Sequence, residues 1–111
     1  MNKKVSKVNV MGTEYKVVFD SNPHNPKFEY DDGYVDTSVK KIVVKDCFDD
    51  CPESLEDLEE FQSHVLRHEL IHAFLHESGL SHQSSWATNE EMVDWFALQF
   101  NKITNAFDLF N

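Results

Sequence analysis

The sequence predicts an α+β fold, a small antiparallel sheet packed on two core helices. Strand-like alternation fills residues 1–46, and two helical patterns follow at 54–78 and 88–108. With 111 residues, 41% of them hydrophobic and nine of them Phe, the chain has enough apolar surface for one domain, 1–111, with a real core.

Val8 and Val10, then Met11-Gly12-Thr13, then Tyr15, Val17 and Phe19 alternate with period two around a turn, which predicts a β-hairpin. Residues 20–33 carry Pro23 and Pro26 among Asn, Asp and Gly and predict an irregular connection. A second strand pair is expected from Tyr34 to Thr37 and from Lys41 to Lys45, because Ile42-Val43-Val44 is β-branched throughout. Ser54 is the expected N-cap of the first helix, and Gly79 its left-handed C′ residue. In the second, Thr88 and Glu91 have the spacing of a capping box, and Met92, Phe96, Phe100, Ile103 and Phe107 form the expected apolar stripe.

The first helix contains His68, Glu69, Leu70, Ile71 and His72, an H-E-x-x-H sequence. Residues four apart on an α-helix share a face about 6 Å apart, so His68 and His72 can converge on one metal ion. Glu69 is turned about 60° from His72, which puts its carboxylate beside the metal, where it can take a proton from water. A catalytic zinc site needs a third protein ligand. Glu90 is chosen for it. Asp94, one turn further along the same flank, is placed to accept the spare N–H of a ligating histidine, and Ala97 to let the helices approach closely. The competing reading is a pair of satisfied core histidines. Burying two imidazoles and a carboxylate without partners costs about 1–3 kcal/mol per group, which favours coordination.

His64 and His76 extend the histidine row by one turn each way. Positions eight apart on a helix are separated by about 12 Å, whereas two nitrogens on one zinc ion are about 3–3.5 Å apart, so three successive histidines cannot share a metal. His76 is therefore expected outside the ligand set. His82 is either a solvated loop residue or a donor to a developing oxyanion. Cys47 and Cys51 make no disulfide framework and, lacking a second cysteine pair, no four-ligand structural site, and are read as ordinary loop or core residues.

His68-Glu69-x-x-His72 followed by Asn89-Glu90-x-x-x-Asp94 resembles the gluzincin pattern of thermolysin-like metallopeptidases. The run from Glu90 to Ala97 is most similar to the minimal ImmA/IrrE-like zincins of phages and mobile elements. The resemblance covers about residues 40–108. It implies a zincin-like fold and a zinc metalloendopeptidase in which Glu69 is the general base, with a repressor or other regulator as the protein substrate. It also implies an extended substrate along an edge strand, assigned to the 41–45 region.

Charge and hydropathy bound the alternatives. Twenty acidic and ten basic residues give a net charge of −10, which disfavours direct nucleic-acid binding and favours a basic partner, although acidic runs are ordinarily solvated faces. No segment has the length and apolarity of a membrane span, and the N-terminus lacks the apolar core of a signal peptide, so a cytoplasmic location is expected. The alternative function is that of an acidic binding or inhibitor protein with a structural or vestigial zinc site.

Overall fold

Ile42, Val43 and Val44 are each at most 1% exposed, so the strand they form needs cover on both faces. In the computed structural model, which describes residues 7–46 and 58–111, this strand lies inside a four-stranded sheet. The strands are β1 (Lys7–Val10), β2 (Thr13–Asp20), β3 (Gly33–Asp36) and β4 (Lys41–Lys45), in spatial order β1-β2-β4-β3.

Both expected hairpins are present. In the first, Val8 pairs with Tyr15 and Val10 with Thr13 around Met11 and Gly12, both at positive φ as a two-residue turn requires. In the second, Tyr34 pairs with Val43 and Asp36 with Lys41. The hairpins join differently from the prediction: β2 pairs with β4 in parallel, Val17 opposite Ile42, so the sheet is mixed and not antiparallel. The cause lies in β4, whose unbroken apolar run suits the doubly covered centre, while the half-buried β3 takes the edge. Residues 41–45 therefore cannot serve as an edge strand for a peptide.

Ile42 and Val44 face the first of the two helices, in a core with Val10, Tyr15, Val17, Val65 and Ala73, and the second helix packs on the first and not on the sheet as expected. Val43 faces the other way, against Phe28 in a short 3-10 turn, Pro26–Glu29. The irregular connection is thus a lid on the second face.

Helix α1 spans Leu58–Glu77 and buries Gln62, Val65, Glu69 and Ala73 as one stripe toward the sheet. Gln62 donates to the Lys45 carbonyl at 3.3 Å and to Asp46 at 2.6 Å. At the other end Glu77 accepts from Thr13 at 2.9 Å, Tyr15 at 2.6 Å and Lys40 at 2.9 Å. These bonds, led by that from Tyr15, hold the Glu77 carboxyl down at about 2. Gly79 has a φ of 85°, the left-handed ending expected of it. The expected opening at Ser54, together with Cys47 and Cys51, lies outside the described residues. Burial along α1 is confined to this sheet-facing stripe, and Phe74 is exposed.

Helix α2 spans Glu90–Asp108 and departs further from expectation. Its N-cap is Asn89, whose side chain accepts from the Met92 amide at 2.8 Å. Thr88 instead closes a 3-10 turn, Ser85–Thr88, and donates to the Ser85 carbonyl, so no Thr88–Glu91 capping box forms. The buried contacts are Val93 and Ala97, both fully enclosed, whereas Phe96, Phe100 and Phe107 of the expected stripe are exposed. Two small or short residues bring α2 closer to α1 than a phenylalanine seam would allow. Among the described residues, no helix is long and apolar enough to cross a membrane.

Candidate metal centre

The H-E-x-x-H segment lies in the second half of α1, where the helix passes over the start of β3. A Cβ on Gly33 would stand 2.6 Å from Val65 Cγ1 and 3.3 Å from Glu69 Cγ, so the absence of a side chain lets the helix rest on the strand backbone. That contact sets Glu69 against β3. His68 and His72 point from the neighbouring flank toward the first turn of α2, which carries Glu90.

The structure brings His68, His72 and Glu90 together in a group that could hold a metal ion. The two Nε2 atoms are 3.2 Å apart, His68 Nε2 is 3.0 Å from Glu90 Oε2, and His72 Nε2 is 2.8 Å from Glu90 Oε1. Ligand atoms on one zinc ion are separated by about 3–3.5 Å, so the donor set fits. Its tautomer fits as well. His68 Nδ1 lies 3.2 Å from Asp94 Oδ1, and a carboxylate there accepts the Nδ1 proton and leaves the Nε2 lone pair facing the group. Burial lowers the pKa of His72, against an opposing pull from Glu90, and so favours the neutral imidazole that a metal requires.

Glu69 is only 9% exposed. Among the described residues it has no hydrogen-bond partner, and its carboxyl opens on a cleft of about 570 Å³ shared with the metal group. Burial pushes the carboxyl up to about 7, opposed by the charge of His68 and aided by Glu90 and Asp31. For Asp94, partial burial pulls upward, but hydrogen bonds from His64 and His68 outweigh it and hold the carboxyl below its ordinary value.

His64, which the sequence reading left without a role, also meets Asp94, with Nε2 at 2.9 Å from Oδ1. The i, i+4 spacing to His68 was the signal that could have found it. His76 and His82 stand apart from the cleft with their rings 4.8 Å from each other, so His82 does not face the place where an oxyanion would form. The cleft is also lined by Tyr30, Asp31 and Asp32, residues that no motif marked. Compared with known protein families, curated proteins and solved structures, the chain matches none.

Proposed function

We propose that this protein is a zinc-dependent peptidase that hydrolyses a peptide bond in a protein substrate. The observation that carries the reading is Glu69: a residue nine-tenths buried whose carboxyl, without a hydrogen-bond partner among the described residues, opens to the same cleft as a two-histidine, one-carboxylate ligand set. A carboxyl rooted in the core yet open to the cleft that holds the ligand set is placed to exchange a proton with a molecule bound there.

His68, His72 and Glu90 would hold the zinc ion, which when bound would supply Lewis-acid polarisation of a carbonyl and lower the pKa of a water. Glu69 takes a proton from the attacking water and delivers it to the leaving amine. Asp94 holds His68 in the tautomer that presents Nε2. β3, the edge strand whose first residues border the cleft, is positioned to take an extended peptide by strand addition. Asp31, Asp32, Glu69, Glu90 and Asp94 line the cleft and, among the described residues, no Lys or Arg does, which supports a basic segment as the favoured substrate.

The test is a proteome-wide comparison of cleavage by the zinc-loaded protein and its Glu69→Gln variant. Wild type should generate new termini, enriched beside basic residues. Glu69→Gln should bind zinc equally while cleaving about 10²–10⁴-fold more slowly. Undiminished cleavage by Glu69→Gln overturns the assignment. A second reading, an acidic binding protein with a structural metal, draws on the charge of −10 and the exposed aromatic side of α2. It predicts target binding that Glu69→Gln leaves intact and no cleavage by either form.

A further inference from the structure

His64 lies one turn before His68 on α1, and the two rings share a single oxygen. His64 Nε2 stands 2.9 Å and His68 Nδ1 3.2 Å from Asp94 Oδ1. Asp94 belongs to α2 and is half exposed, so one histidine contact alone would leave its carboxylate free to swing toward solvent. Two donors from successive turns of α1 fix it from two directions. The rest of the His64 ring is poorly accounted for as packing: Nδ1 is buried and has no hydrogen-bond partner among the described residues, a cost that an apolar side chain of similar size would not incur. What His64 gains in exchange is Asp94.

We infer that His64 is a positioning residue for the metal centre: it braces the Asp94 carboxylate, which in turn orients His68 with Nε2 toward the ion. The inference rests on the zinc reading above and adds to the H-E-x-x-H helix a third histidine that acts without touching metal. It makes the centre a chain of contacts, His64 to Asp94 to His68, that joins the two helices outside the ligand set.

Zinc affinity of the full chain, measured by competition with a chromophoric chelator, tests it, together with the visible spectrum of the Co²⁺ form. His64→Leu should bind zinc about 10–100-fold more weakly and alter the Co²⁺ spectrum, as expected when an outer partner of a ligand is lost. His64→Gln, whose amide can still donate to Oδ1, should recover most of the affinity. The His64→Leu/Asp94→Ala double variant should bind no more weakly than Asp94→Ala alone, because both changes break one chain. Wild-type zinc affinity in His64→Leu, whatever its thermal stability, overturns the inference, as does a further tenfold loss in the double variant. If His64→Leu does not fold, His64→Asn, whose shorter amide falls short of Oδ1, takes its place. Failure of the wild-type chain to bind zinc at all overturns the underlying reading instead.

Discussion

Helix α1 is fastened to the sheet at both ends and in the middle, by Gln62, by Val65 against Gly33 and by Glu77, whereas α2 is held chiefly through Val93 and Ala97. Polar contacts to α1 reinforce α2 over the same stretch: Glu90 and Asp94 meet the α1 histidines, and Arg67 Nε donates to the Ala97 carbonyl at 2.9 Å. Beyond Ala97 its apolar side chains largely face outward, with Leu98 at 55% and Phe107 at 65% exposure. The candidate metal centre spans this division, with two ligands on the fixed helix and the third on the lightly held one. A metal there would therefore do more to order α2 than to order α1, since binding free energy goes into whichever part was least constrained.

The sharpest way to break the contrast is at the ligands. Glu90→Ala should lower zinc affinity about 100-fold or more, at or beyond the loss from an outer partner, and a competition titration will show it. It should leave the metal-free melting temperature almost unchanged, because Glu90 is exposed. Saturating zinc at about 100 times its dissociation constant should stabilise the wild type by about 2.7 kcal/mol, with the new amide-exchange protection concentrated in α2. Equal protection of both helices would contradict the contrast.

Gly33→Ala strikes the fixed side. Its Cβ meets Val65 Cγ1 on a short, β-branched side chain that cannot turn away, so a loss of about 1–3 kcal/mol in denaturant unfolding is expected. Glu69, whose Cγ stands 3.3 Å from the same Cβ, is crowded as well, so on the proposed peptidase reading cleavage should fall by more than zinc affinity does. A smaller effect sharpens the comparison through pH. The Glu77 carboxyl titrates near 2 in the fold against 4.5 ordinarily, so its contribution is complete above pH 4.5 and disappears as pH falls toward 2. Glu77→Gln should flatten the decline of stability across that window and leave the slope at higher pH unchanged. Last, Phe107→Ser, on the outward part of α2, should change unfolding free energy by no more than about 0.5 kcal/mol.

What could be read from the sequence follows the range of the interactions involved. The two hairpins and the left-handed Gly79 depend on neighbours within a few residues, and the structure has them as expected. His68 and His72 meet because helix geometry alone brings them together, and Glu90 and Asp94 join them because four-residue spacing keeps both on one flank of α2. The parallel β2–β4 pairing was not legible, since nothing in either strand's own alternation specifies its partner. The α2 face was misjudged because hydrophobicity predicts which side is apolar, not which side is small enough to let two helices meet at Val93 and Ala97. The same limit applies at its start, where Thr88 and Asn89 both suit an N-cap and only the preceding 3-10 turn decides in favour of Asn89.

The order of strands also bears on how the chain reaches its native state. Each hairpin closes a short loop and can form early, but the contact between β2 and β4 joins segments separated by the whole connection, β3 and a turn. Loop-closure entropy makes that docking the slow event, and α1 gains its apolar platform only after it. Mutations at the β2–β4 seam, such as Val17→Ala, should therefore slow refolding, whereas changes in the outer half of α2 should alter only the unfolding rate.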